Sequence, residues 1–198
     1  MKLISHRRNT LQELQSTPPK YGVEIDIRSF GQELILHHDP FVEGESFNAW
    51  IKSYKHGTLI LNVKEEGLEE RLIAAMKMSH IDDYFFLDQS FPYLMKFAKK
   101  GESRSAARFS EFESIDTVMS LSGLIDWVWV DCFTKFTLTR KDYDRLKKAN
   151  FKICLVSPEL QGRNAEIEIH QMIQILKSES ISPDAVCTKR TDLWENFK

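Results

Sequence analysis

Val23-Glu24-Ile25-Asp26-Ile27-Arg28 alternates aliphatic and charged side chains without a break. Alternation of period two is the signature of a β-strand, whose side chains point to opposite faces in turn. Val23, Ile25 and Ile27 then share one face, and Glu24, Asp26 and Arg28 share the other. Where helices cover the outside of a sheet, the aliphatic face meets the helices. Two carboxylates and an arginine are left facing inward, where burying them unpaired is costly.

Leu59-Ile60-Leu61-Asn62-Val63-Lys64 repeats the parity, with Leu59, Leu61 and Val63 on one face and Ile60, Asn62 and Lys64 on the other. Further β-rich runs fall at 3–5, 84–88, 105–109, 127–133, 152–157 and 185–188. Helical patterns separate them at 9–14, 45–54, 67–78, 90–100, 114–122, 143–149 and 166–177, with Thr139 and Asp142 capping the sixth. Strands alternating with helices predict βαβ units and parallel strands. Eight such units predict a small (β/α)8 TIM barrel formed as a single domain over residues 1–198. Such barrels usually take about 250 residues, with about 200 as the lower limit. An open doubly wound sheet is the alternative.

One further run, 33–38, follows the second strand after a linker around Gly31 that is too short for a crossover. It predicts an antiparallel hairpin extending that strand. No GxGxxG or GxxxxGK[ST] follows any strand, so neither dinucleotide nor P-loop binding has sequence support.

Composition fits a soluble globular protein, with 42% hydrophobic and 28% charged residues in 198. The 27 Lys and Arg against 29 Asp and Glu leave a net charge of −2, which provides no global field for nucleic acid or an anionic membrane. Residues 1–8 are too polar for a signal-peptide core, and no apolar run approaches the roughly 20 residues of a membrane span. A cytoplasmic location is expected. Cys132, Cys154 and Cys187 form no CxxC pair and read as buried small hydrophobes in a reducing compartment.

Polar residues gather at strand ends: His6-Arg7, His38-Asp39, Lys64, Asp88, Arg108 and Asp131. In barrel enzymes the active site is built at the carboxyl ends of the strands. Trp127 and Trp129 share the face of Asp131 and serve either as core or as walls of a ligand site. Thr188-Lys189-Arg190 and the loop Ser157 to Arg163 lie at the same end, where barrels often bind phosphate.

The order His6-Arg7, Glu24-Ile25-Asp26, His38-Asp39 and Asn62-Val63-Lys64 resembles the HR…ExD…HD signature of the glycerophosphodiester phosphodiesterases, within the superfamily of phosphatidylinositol phospholipase C-like phosphodiesterases. The resemblance runs continuously over about the first third of the chain. It implies a phosphoric diester hydrolase in which His6 and His38 act as general acid and base. It also implies a divalent cation, Mg2+ or Ca2+, held by Glu24 and Asp26. The third metal carboxylate of the family falls at Asn62, a neutral oxygen donor, which implies weaker metal binding. Arg7 and Lys64, with Arg108 and Asp131, would contact the substrate, a small-molecule phosphodiester. The longer segment that follows HD in the family is here a short passage from Pro40 to Trp50, implying a more open mouth.

Two other readings stand beside this one. The Asn62 substitution fits a barrel that has lost catalysis and only binds a sugar phosphate or phosphodiester. Lys64 at a strand end fits an unrelated barrel enzyme that uses a Schiff-base or proton-transfer lysine. Without a metal, Glu24, Asp26, Arg28 and Lys64 would form an internal ion-pair network.

Overall fold

The computed structural model describes residues 1–195 and Phe197, so of the expected domain 1–198 only Asn196 and Lys198 lie outside the described residues. The chain opens with β1 (Lys2–Ser5), α1 (Leu11–Ser16) and β2 (Gly22–Phe30). A hairpin excursion follows, β3 (Glu33–Leu36) and β4 (Glu45–Ser46), before α2 (Phe47–Trp50). Strands and helices then alternate: β5 (Leu59–Val63), α3 (Glu69–Met78), β6 (Tyr84–Leu87), α4 (Phe91–Ala98), β7 (Ala106–Phe109) and α5 (Ile115–Met119). The alternation ends with β8 (Trp127–Val130), α6 (Arg140–Lys148), β9 (Lys152–Val156), α7 (Ala165–Ser178), β10 (Ala185–Thr188) and α8 (Thr191–Trp194).

The sheet is mixed and strongly curled. β1 lies between β10 and β2, both parallel to it, and the parallel order continues from β2 to β5 to β6 on one side. On the other side it runs from β10 through β9 and β8 to β7. β6 and β7 meet at the parallel bridge Phe86–Ser105. The hairpin is antiparallel, with Ile27 opposite Leu36 and Phe30 opposite Glu33, as the short linker at Gly31 requires.

Parity sorts the core as the sequence predicts. Val23, Ile25, Ile27, Leu59, Leu61 and Val63 pack outward against α2, α3 and their neighbours. Val128, Val130, Ile153 and Leu155 do the same on the opposite side. Ile4, Ile60, Phe85, Trp127, Trp129 and Cys187 fill the interior, where Phe85 and Trp127 stack at 4.4 Å. The two tryptophans are therefore core. All three cysteines are buried and unpaired.

Two elements depart from the expected bounds. The helix expected at 45–54 begins only at Phe47, because Glu45 and Ser46 pair with Leu36 and Ile35 as an edge strand. Ser46 Oγ then caps α2 by accepting from the Ala49 amide. The first helix starts at Leu11 rather than Asn9, because Thr10 and Glu13 form a reciprocal capping box and Asn9 is drawn into the interior. No helix among the described residues is long and apolar enough to cross a membrane.

Candidate active site

The carboxyl ends of β1, β2 and β5 converge on two buried carboxylates. Glu24 and Asp26 are both fully buried on the inner face of β2. The loop after β1 closes over them. Arg7 adopts φ 53°, left-handed for a non-glycine residue, and in that conformation its amide donates to Glu24 Oε2 at 2.7 Å. The Arg8 amide donates to the Glu24 carbonyl at 2.8 Å. Among the described residues, six non-glycine residues have positive φ. His80, Asn150 and Ser180 terminate α3, α6 and α7, whereas Arg7, Phe41 and Asp88 lie in loops at the site end of the sheet. Backbone strain of this kind tends to collect at functional sites.

Each carboxylate is held differently. Glu24 Oε1 accepts from Asn62 Nδ2 at 2.8 Å, and His6 Nε2 stands 3.6 Å from Oε2. Asp26 Oδ2 accepts from Asn9 Nδ2 at 2.9 Å, while the Asp26 amide donates to Asn9 Oδ1 at 2.9 Å, so that one carboxamide grips both side chain and backbone. Arg7 Nε lies 3.1 Å from Asp26 Oδ2 and Lys64 Nζ 3.3 Å from Oδ1. Asp26 Oδ1, Asn62 Oδ1 and His6 Nδ1 are nonetheless buried without a hydrogen-bond partner. A buried group with neither a hydrogen bond nor an ion pair costs roughly 1–3 kcal/mol, a cost that the Lys64 ammonium offsets at Asp26 Oδ1.

Burial, followed by the neighbouring Asp26 charge, pushes the Glu24 carboxyl up to about 7, against the hydrogen bonds from Asn62 and the Arg7 amide. Burial and then the Arg7 guanidinium pull the His6 imidazole down to about 3, so this ring is neutral at neutral pH.

Outward from this centre runs a chain of ion pairs. Lys64 Nζ also reaches Asp88 Oδ2 at 3.3 Å. Arg108 bridges Asp88 and the buried Asp131, and Asp131 Oδ1 accepts from Gln161 Nε2 at 2.7 Å. His6, Arg7, Glu24, Asp26, Asn62, Lys64, Arg108 and Asp131 are thus linked through direct contacts. His38 joins them through the backbone: Arg28 donates to the His38 carbonyl at 3.0 Å and to the Lys64 carbonyl at 3.2 Å. The His38 ring is half exposed, with Nδ1 2.8 Å from Asp39 Oδ1. A carboxylate only accepts, so Nδ1 carries the hydrogen and Nε2 faces away. Gly44 fixes this loop, since a Cβ there would lie 2.5 Å from the Leu36 carbonyl oxygen. His37 is turned to structure, its Nδ1 accepting from the Asp39 amide at 3.0 Å.

The Thr188 hydroxyl and the Lys189 amide are not free donors. Both donate to Glu159 Oε1, at 2.6 and 2.9 Å, so an internal carboxylate fills the place where barrels often hold phosphate. Sequence reasoning missed Asn9, the clamp on Asp26. Its signal was its position immediately before the Thr10–Glu13 capping box and three residues after His6.

The donor set suits a hard cation. Among the described residues no three His, Cys, Asp or Glu side chains converge as a metal cluster. The oxygens here come instead from two carboxylates and one carboxamide. Asp26 and Asn62 are register partners on adjacent strands, and each offers a buried oxygen without a hydrogen bond, that of Asp26 lying 3.3 Å from the Lys64 ammonium, so the residues fit an oxygen-liganded ion such as Mg2+ or Ca2+.

No protein-family model matches the sequence, and no curated protein matches it. Among solved structures, a glycerophosphodiester phosphodiesterase from Agrobacterium tumefaciens superposes with a TM-score of 0.69 over 98% of both chains, at 13% identity. The two share a fold. That likeness is one of architecture.

Proposed function

We propose that the chain is a metal-dependent phosphoric diester hydrolase acting on a small phosphodiester, with its curled sheet forming a small (β/α)8 barrel joined between β6 and β7 at Phe86 and Ser105. The observation that carries this reading is the pair of buried oxygens without a hydrogen bond, Asn62 Oδ1 and the Lys64-paired Asp26 Oδ1, beside the buried carboxylate of Glu24. Glu24, Asp26 and Asn62 would hold a divalent cation, Mg2+ or Ca2+. Bound there, it would supply positive charge to a phosphoryl oxygen.

The remaining roles follow from protonation and orientation. His6, neutral because of its burial, takes the proton of the attacking hydroxyl. His38, its Nδ1–H held by Asp39, would act as the imidazolium and deliver its Nε2 proton to the leaving oxygen, ending as the neutral ring. Arg7 and Lys64 offset the phosphate charge. Arg108, held by Asp88 and Asp131, keeps a second N–H on each terminal nitrogen for the substrate rim.

A binding-only barrel is the second reading. It is favoured by Asn62, whose amide donates to Glu24 where the related enzymes would have a third carboxylate. Turnover separates the two: a chromogenic phosphodiester hydrolysed only in the presence of Mg2+, Ca2+ or Mn2+ supports the hydrolase, and binding without turnover across a substrate panel supports the alternative.

A further inference from the structure

Among the described residues, β6 and β7 are joined only around Phe86, by its bridge to Ser105 and by its amide donating to the Arg104 carbonyl at 2.8 Å. Beyond that point the strands part and a cavity of about 700 Å³ opens. It crosses the sheet: Leu87 and Ala106 belong to the interior core, whereas Leu94 and Ala107 belong to the layer between sheet and helices. The gap has a cause in the sequence. Ala106 and Ala107 stand in register with Trp127 and Val128 of β8, and two alanines on consecutive positions leave both faces of the seam underfilled.

Most of the polar side chains lining this cleft already have a partner, although Thr117 lines it as well. Arg108 is paired with Asp88 and Asp131. Gln89 donates to Glu69 at 3.2 Å and accepts from Ser105 at 2.8 Å. Glu113 accepts from Ser110 at 2.7 Å, and Ser114 Oγ accepts from the Asp116 amide at 3.1 Å. Alongside them the cleft offers hydrocarbon, including Phe91, 52% exposed, and Phe112, 77% exposed. Large aromatic surface held out to water beside a cavity marks a place where apolar material binds. A volume near 700 Å³ lies within the roughly 300–1,000 Å³ of ordinary small-ligand pockets.

Asp88 and Arg108 line this cleft and also end the ion-pair chain that starts at Asp26 and Lys64. We infer that the cleft binds a linear alkyl substituent on one alcohol of the phosphodiester substrate. This rests on the hydrolase reading for the phosphate and on the cleft itself for the chain.

Calorimetric titration of octyl methyl phosphate below its micelle concentration, against dimethyl phosphate, tests the inference without requiring turnover. The octyl compound is expected to bind at least about tenfold tighter, as burial of a few methylenes supplies. Phe112→Ser, a change at an exposed position, is expected to remove most of that preference, and Ala107→Leu to block it by filling the seam. Equal affinity for both compounds, or an octyl preference untouched by Phe112→Ser, overturns the inference. Failure of the hydrolase reading is a separate result: octyl binding would persist while no phosphodiester is cleaved under any metal.

Discussion

Asp26 and Asn62 face each other across the β2–β5 ladder, and each holds one oxygen buried and without a hydrogen-bond partner. Beside Glu24, the bare Asn62 oxygen and the Asp26 oxygen that has only an ion-pair contact with Lys64 among the described residues make this a place where a bound cation would relieve unfavourable burial. Mg2+, Ca2+ or Mn2+ is therefore expected to raise the melting temperature of the wild type, and Asp26→Asn to abolish the rise. Thermal melts with and without each ion provide the check; a rise retained in Asp26→Asn would move the ion elsewhere.

Asn62→Asp separates charge from shape. A third carboxylate beside Glu24 and Asp26 adds like-charge repulsion in a desolvated group, so the metal-free variant is expected to melt lower. A loss of about 1 kcal/mol corresponds to about 2–4 °C for a chain of this size. Its response to added cation is expected to exceed that of the wild type, because more negative charge then faces the ion. A variant that melts lower and gains nothing from cation would count against the metal site.

Stability without metal carries two opposed pH slopes. Burial, then Asp26, raises Glu24 from 4.5 to about 7. The folded state thus keeps a proton that the unfolded state releases first, and the contribution present below pH 4.5 is lost as the pH rises toward 7. Burial, then Arg7, lowers His6 from 6.5 to about 3. Here the unfolded state takes up the proton first, and the contribution present above pH 6.5 is lost as the pH falls toward 3. Chemical denaturation at a series of pH values should show the first slope vanish in Glu24→Gln and the second in His6→Gln. Identical profiles for wild type and both variants would remove the electrostatic account of this centre.

Asn9 holds Asp26 through two hydrogen bonds in a buried setting. Asn9→Ala strands the Asp26 amide, at roughly 1–3 kcal/mol, and leaves Asp26 Oδ2 with the Arg7 guanidinium alone. The variant should melt lower and need more cation for the same stabilisation. Asn9→Asp keeps the acceptor for the Asp26 amide but sets a second carboxylate against Asp26 Oδ2, so without metal it should melt no higher than Asn9→Ala. Unchanged cation titrations in both would reduce Asn9 to a local loop contact.

Most of this architecture was legible because strand parity is a strong signal. The alternation in Val23–Arg28 and Leu59–Lys64 placed Glu24, Asp26 and Asn62 on the inner face, where the structure has them. The short linker at Gly31 fixed the antiparallel hairpin. What sequence did not reveal depends on side chains reaching across loops. Asn9 is local in the chain but bonds to a residue on β2. Glu159 takes up the Thr188 and Lys189 donors from another loop. The edge strand at Glu45–Ser46 read as helix because only its pairing with Ile35 and Leu36 distinguishes it. The parting of β6 and β7 follows from two small residues whose effect depends on what stands beside them.

The most direct test of the central claim is steady-state turnover of a chromogenic phosphodiester, with and without Mg2+, Ca2+ and Mn2+, for wild type, His6→Ala and His38→Ala. The account predicts metal-dependent hydrolysis by the wild type and a loss of roughly 10²–10⁴-fold in kcat for each histidine variant, the range for removal of a general acid or base. Turnover that is indifferent to metal, or that survives in both histidine variants, would contradict it.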